Sequence, residues 1–394
     1  MPRKTIAIVG GGPIGSALAL RLSGEHRVVL IDAGAAPQKI CGEGLLPAAW
    51  EVLSELGLDH RITQRSPIRG ISYGLFNSEG ELKTVTGLLL KPAFGVQREH
   101  LMEAFRSGLD DSNVDLRTET RLRDFSWTGR GVALDLESQD KSRKQLDCDL
   151  LIGADGLHSS IRRKADLQST RPRRYARWGA RCYFRSEEVR EKVCVTLGAG
   201  LESYLTPLGG RLFGLAFLWS PGSLGRPLPG TGEVWRRLFA LMGPRFSEVL
   251  PEPSGDFFGD DRAIGPLQQP VISPLHPSGR VALVGDAAGY LDALTGEGLC
   301  LGLRQARSLS QCILEERLFD YPEEHRAIKR RHQWTVSGLL WLIHRPRLRE
   351  RVFQALHKTP EQFSAVLRFA VEEAGWNTLL SRHLLRFLRE LLAF

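Results

Sequence analysis

The sequence predicts an α/β chain in three parts: an open parallel sheet flanked by helices, a second part built on a mixed β-sheet, and a C-terminal helical segment. Three observations carry this. The N-terminal stretch "KTIAIVGGGPIGSALALRLSGEHRVVLIDAG" reads as strand, glycine turn, helix and strand. Two later stretches are strand-rich and broken by glycine. Nearly everything beyond Tyr321 has helical patterning. A length of 394 residues exceeds what one hydrophobic core usually organises. The expected boundaries are 1–65, 98–170 and 270–320 for a discontinuous first domain, 66–97 and 171–269 for the β-rich domain, and 321–394 for the helical region.

Each element has a local reason. Residues 6–9 are a short apolar run suited to a buried parallel strand, residues 16–22 carry small and apolar side chains at helical spacing, and residues 28–31 repeat the strand pattern. This is a βαβ unit, right-handed by the crossover rule. "IRGISYGLFNSEGELKTVTGLLLKPAFGVQ" alternates with glycine breaks, and "REHLMEAFRSGL" then returns to helix. "VALDLESQDKSRKQLDCDLLIGADG" reads as a hairpin leading into a buried strand at 150–152. "RWGARCYFR", "ESYLTPLGG" and "RLFGLAFLW" extend the second sheet. "GRVALVGDAAGYLDALTGEGLCLGLRQARSLSQCIL" gives strand, turn and long helix.

The first turn carries chemistry. Gly10, Gly12 and Gly15 fit G-x-G-x-x-G directly after a strand, with Pro13 and Ile14 opening the helix. The first glycine permits the tight turn, the second lets backbone approach a pyrophosphate, and the third lets helix and strand pack closely. The helix N-terminus offers free N–H groups and a positive dipole end to that pyrophosphate. Asp32, ending the second strand, is placed to accept hydrogen bonds from a ribose diol. The whole context predicts a Rossmann-like dinucleotide site.

Two further strand-to-turn motifs follow: "LLIGADGLHSSIRR", with Asp155, and "VALVGDAAGYLDALTGEGL", with Gly285 and Asp286. Together the three motifs resemble the flavoprotein monooxygenase superfamily with the p-hydroxybenzoate hydroxylase fold, and within it the geranylgeranyl reductase-like branch. The resemblance covers about residues 1–310. It implies FAD as cofactor and NAD(P)H as a transient reductant. Gly10, Gly12, Gly15 and Asp32 match the ADP-binding fingerprint, and Arg98 matches an FAD-contacting arginine at a helix start. Asp155 matches the DG aspartate near the flavin. Asp286 matches the GD aspartate toward the ribityl and pyrophosphate groups.

The segments "CGEGL", from Cys41, and "TGEGL", from Thr295, are expected to approach one FAD from two sides. Cys41 and Gly42 would lie toward the pyrophosphate and ring edge, and Gly296, Glu297, Gly298 and Leu299 toward the N1 and O2 side. Cys41, Glu43, Tyr204 and Glu297 are the candidate catalytic side chains. Cys41 is otherwise a small apolar filler, and the two glutamates are otherwise surface carboxylates. Trp178, Tyr183, Tyr204, Pro207 and Phe217 are the substrate-pocket candidates, with sheet core as the alternative for each.

Two reactions compete. One is NAD(P)H-driven hydroxylation, by O2 through a C4a-hydroperoxyflavin, of a hydrophobic aromatic or polyketide-like small molecule. The other is reduction of an isoprenoid or lipid double bond. The GEGL segments look like the reductase branch, whereas "SYLTPLGG" lacks that branch's aromatic-rich segment; the halogenase WxWxIP segment is also missing. A non-catalytic flavin-fold binding protein is the remaining option.

Composition excludes other classes. With 42% hydrophobic and 25% charged residues the chain is an ordinary globular protein. Its six cysteines form no CxxC pair, so neither a disulfide framework nor a metal site is expected, and a reducing cytoplasm is the natural location. The net charge of +8 is dispersed, and no nucleic-acid partner is expected. The tail holds 13 Lys and Arg against 7 Asp and Glu. Its basic amphipathic stretch "LLWLIHRPRLRERVFQALHK" either lies on a membrane surface or covers the first domain.

Overall fold

The computed structural model describes residues 2–34, 43–76, 82–171, 177–198, 200–220, 234–259, 263–380 and 382–392. Cys41 and Gly42 lie outside the described residues.

Five short strands form a parallel sheet in the order Val281–Leu283, Leu150–Gly153, Thr5–Val9, Arg27–Ile31 and Asp115–Arg117. Four of them are near-continuous apolar runs, which suits strands covered on both faces, whereas the edge strand Asp115–Arg117 is polar and only partly buried. Ile6, Ile8, Val28, Leu30, Leu150 and Ile152 point into a core shared with helices Pro13–Leu22, Arg98–Asp110 and Gly298–Leu314. Ala7, Val9, Val29, Ile31 and Leu151 point the other way. They meet a three-stranded antiparallel sheet of Thr120–Trp127, Val132–Ser138 and Arg143–Cys148. The sequence pattern reveals only the hairpin of that small sheet, because Thr120–Trp127 is largely polar and exposed.

A seven-stranded mixed sheet runs in the order Trp178–Arg185, Leu212–Trp219, Leu201–Gly209, Lys192–Leu197, Ser66–Phe76, Leu82–Gly95 and Gly44–Leu45. One pairing in it is parallel, Lys192–Leu197 with Ser66–Phe76. Side chains alternate between faces. Ala180, Cys182, Phe184, Phe213, Leu215, Phe217 and Trp219 form an apolar core with Leu238 and Phe246. The opposite face carries Arg181, Tyr183, Glu202, Tyr204 and Ala216, as the register dictates.

The tail is helical over Tyr321–Ile343, Pro346–Lys358, Pro360–Ala370 and Arg382–Leu392. Tyr321, His325, Lys329, His332, Val336 and Leu340 make one buried stripe on its first helix. Phe353 and Phe363 close over Leu75, Val85, Val195 and Leu197 of the mixed sheet. Phe353 of Pro346–Lys358 is thus turned to the mixed sheet, not to the first domain that the sequence pattern suggests it covers.

Candidate active site

The C-terminal ends of the parallel strands meet at one edge, where ligands bind in open α/β sheets. Gly10 N–H donates to Ile31 O at 2.8 Å, Ala154 N–H to Val9 O at 2.8 Å, and Val284 N–H to Gly153 O at 3.0 Å. The three sequence motifs therefore touch. A Cβ on Gly10, at φ +112°, would lie 2.4 Å from Ala154 O, and a Cβ on Gly15 would lie 1.9 Å from Gly10 O. Only glycine permits either approach. Ile14 packs between Gly285 and Gly302, joining the first helix to the third motif.

Arg162 fastens the second motif to the third. This buried guanidinium donates to Asp286 O at 3.3 Å, Ala287 O at 3.0 Å and Leu157 O at 2.8 Å. Carbonyl oxygens on both sides thus hold the guanidinium between the two motifs.

The cofactor cradle passes a direct test. The first helix starts at Gly12 with no side-chain cap and with Pro13 at its head, leaving N–H groups for a ligand. Apart from its chain neighbours, a Gly12 Cβ would have one heavy atom of a described residue within 4 Å, Arg98 Nη2 at 3.8 Å. Asp32 is tucked against Gly11, since a Gly11 Cβ would meet its Oδ2 at 2.6 Å, and burial raises the Asp32 pKa. Asp155 Oδ2 accepts from Ser160 N–H at 2.7 Å and Ile161 N–H at 3.3 Å, holding a short helix. Its other oxygen, Oδ1, is buried with no hydrogen-bond partner among the described residues. Open backbone, an arginine, a carboxylate against the glycine turn and an unused buried acceptor all suit a dinucleotide. A Cβ on Gly296, at φ +67°, would also meet nothing within 4 Å among the described residues.

Both GEGL glutamates are buried rather than on the surface, and each is anchored to a different layer. Glu43 Oε1 lies 3.0 Å from Arg181 Nη1 and accepts from Tyr183 OH at 2.8 Å and Arg98 N–H at 2.7 Å. Burial pushes the Glu43 carboxyl up, against the pull of Arg181 and the Arg98 N–H. Glu297 Oε2 lies 2.7 Å from His332 Nδ1 on the first tail helix, and Thr295 Oγ1 is 3.4 Å from the same nitrogen.

A buried polar network joins the polar face of the mixed sheet to Asp292. Arg177 pairs through Nε with Asp292 Oδ2 at 2.9 Å and through Nη2 with Asp292 Oδ1. Its Nη1 reaches Glu202 Oε1 at 2.8 Å. Tyr204 OH donates to Glu202 Oε2 at 2.8 Å. Burial, with Glu202 close by, raises the Tyr204 and Tyr73 hydroxyl pKa values. Burial works against the Arg177 charge, but Glu202 and Asp292 outweigh it.

The five pocket candidates divide between the two sheet faces. Tyr204 and Tyr183 stand on the polar face, each tied to a carboxylate. Pro207 presents its carbonyl to Gly95, where a Cβ would come within 1.7 Å. Phe217 is fully buried on the opposite face with Phe246, and Trp178 packs there and over Gly265. Their β-alternation turns them away from Glu202 and Tyr204.

Arg177, Glu202, Asp292, Tyr73, His332 and Lys329 belong to this region but do not stand out in the sequence. Each lies in no recognised spacing and gains meaning only from partners far along the chain. Asp292, in the same loop as Gly289 and Thr295, is the one that proximity to a motif could have singled out.

Residues 3–193 match the model of a family described as an FAD binding domain. The chain is 27% identical over 348 residues to a menaquinone reductase of Mycolicibacterium smegmatis, spanning 84% of this chain and 81% of that protein. It is 25% identical over 323 residues to an aurachin C monooxygenase/isomerase of Stigmatella aurantiaca, spanning 78% and 80%. The solved p-nitrophenol 4-monooxygenase of Pseudomonas putida superposes with a TM-score of 0.76 at 19% identity, covering 96% of this chain and 99% of that one. The first half of the chain carries this FAD binding domain, and along most of its length the chain is similar to proteins named as a reductase and as monooxygenases. This flavoprotein is an FAD-dependent oxidoreductase, and its parallel sheet with a facing mixed sheet is the p-hydroxybenzoate hydroxylase-type architecture. Among the described residues, no helix of the flavoprotein is long and apolar enough to cross a membrane.

Proposed function

We propose that the protein is an NAD(P)H-driven monooxygenase that hydroxylates a hydrophobic aromatic small molecule held between the polar face of the mixed sheet and the TGEGL loop. The observation that carries this reading is the buried network Tyr204–Glu202–Arg177–Asp292. A desolvated phenol, carboxylate and guanidinium in one chain can bind a ring hydroxyl and exchange its proton, which makes the ring electron-rich and ready for attack. The balance is one O2, one NAD(P)H and one proton consumed per hydroxyl added, with one water and NAD(P)+ released. FAD supplies the electron transfer and oxygen activation when bound.

In this reading Gly10, Gly12, Pro13, Ile14 and Gly15 hold the pyrophosphate, Asp32 the adenosine ribose, and Arg98 the neighbouring phosphate or sugar. Asp155, Gly285 and Asp286 line the ribityl side, and Gly296, Glu297, Gly298 and Leu299 the ring side. Glu43 acts as a positioning residue, because its carboxylate is committed to Arg181 and the Arg98 N–H. The domain division stays as proposed from the sequence, with the cofactor held by 1–65, 98–170 and 270–320 and the substrate faced by 66–97 and 171–269.

A second reading, double-bond reduction of an isoprenoid-type substrate, is supported by the likeness to a menaquinone reductase and by the Glu297–His332 pair as a proton source. Here one NAD(P)H and one proton saturate one double bond, without O2. Turnover under 18O2 with a phenolic substrate should give a product heavier by one labelled oxygen atom. Anaerobic gain of two hydrogens on the side chain of a polyprenyl quinone, retained after the ring is re-oxidised, with no labelled product in air, would replace the first reading with the second.

A further inference from the structure

The last helix, Arg382–Leu392, has a role that neither the fold nor the site uses. It packs on helices Pro346–Lys358 and Pro360–Ala370, with Leu384, Phe387 and Leu391 half-buried. A second row, Leu385, Leu388 and Leu392, is 74%, 41% and 84% exposed. Their spacing of three and four places them on one face, as a ridge along the helix. Arg386 and Arg389 are exposed one position beyond Leu385 and Leu388, so cations flank the ridge. Glu390, the acid of this helix, is paired at 2.7 Å with Lys358 Nζ. The outward surface is therefore apolar along its crest and cationic at its edge.

We propose that this helix docks the protein on the surface of an anionic lipid bilayer, with the leucine ridge in the acyl boundary and Arg386 and Arg389 at the headgroups. Charge complementarity selects the partner. A symmetric contact with a second copy would bring these arginines toward their own counterparts, which like-charge repulsion opposes. The helix lies outside the layer whose Phe353 and Phe363 pack against the cluster containing Tyr73 and Tyr204. Docking here would bring the membrane to the side of the molecule that closes the polar sheet face. The docking stands whichever reaction the site performs.

The test is co-sedimentation of the flavin-loaded full chain with phosphatidylcholine vesicles containing or lacking 30 mol% phosphatidylglycerol, a chosen composition of about one anionic lipid in three. Binding should require the anionic lipid and weaken with salt. Replacing both arginines by glutamine should lower partitioning about twenty-five-fold, at about five-fold for each cation near such a surface. The triple variant Leu385→Ser, Leu388→Ser, Leu392→Ser should abolish binding while keeping its flavin. The idea is overturned if wild type ignores anionic vesicles, if both variants bind like wild type, or if the ridge variants instead turn a wild-type dimer that ignores vesicles into a monomer.

Discussion

Lys329→Met probes how the tail helix holds the GD turn. Lys329 is buried on Tyr321–Ile343, and its Nζ donates to Gly289 O at 2.9 Å. Burial lowers its pKa from 10.5 to about 8, with Asp286 pulling the other way. A base whose folded pKa falls below its unfolded value weighs against folding at neutral pH, and the penalty fades as pH rises from about 8 past 10.5. A displacement of this size corresponds to about 3 kcal/mol at pH 7. The ammonium-to-carbonyl bond returns about 1.5–3 kcal/mol. At pH 7 the two effects nearly cancel, so Lys329→Met should change global stability little, yet loosen the GD turn and speed flavin release. Urea unfolding, followed by tryptophan fluorescence at several pH values, reads the difference directly. From pH 7 to pH 10.5 wild type should gain on the variant by about 3 kcal/mol. A difference that stays flat across this range would refute a charged, buried Lys329.

Three other substitutions test separate parts of the site. Gly10→Ala forces a Cβ to 2.4 Å from Ala154 O at φ +112°, and should yield protein that retains little flavin, measured as the flavin-to-protein absorbance ratio. Asp286→Ala should lose flavin on gel filtration while keeping its circular dichroism; full occupancy would remove Asp286 from the cofactor site. Glu43→Gln leaves Arg181 buried without its carboxylate and should cost about 3–5 kcal/mol in urea unfolding, and adding Arg181→Met should recover part of that loss.

The strand-to-turn geometry of the parallel sheet was legible because its rules are local. Gly10, Gly12 and Gly15 follow a strand and open a helix within one turn, so backbone sterics alone assign them, and the DG and GD motifs repeat the strand-to-turn logic. The substrate side was not legible. Tyr204 and Phe217 are both aromatics in strand-rich segments, yet β-alternation and pairing register send them to opposite faces. Register depends on partners such as Tyr204 opposite Ala216, which no single-strand pattern contains. The exposed, polar strand Thr120–Trp127 left no hydrophobic alternation to read.

The two GEGL segments carry this furthest. Identical tetrapeptides fix their glutamates to different layers: Glu43 to Arg181 of the mixed sheet, and Glu297 to His332 of the tail. The partners lie 138 and 35 residues away, at no spacing a motif could encode. A buried carboxylate needs such a partner, since leaving it unpaired costs several kcal/mol. In the proposed reading, these two clamps hold the glycine-rich loops in place beside the cofactor. Loosening either clamp should loosen one edge of the cradle and spare the other, so Glu43→Gln and His332→Ala should weaken flavin retention independently, with additive effects in the double variant. Strong non-additivity would mean that the two loops move as one unit.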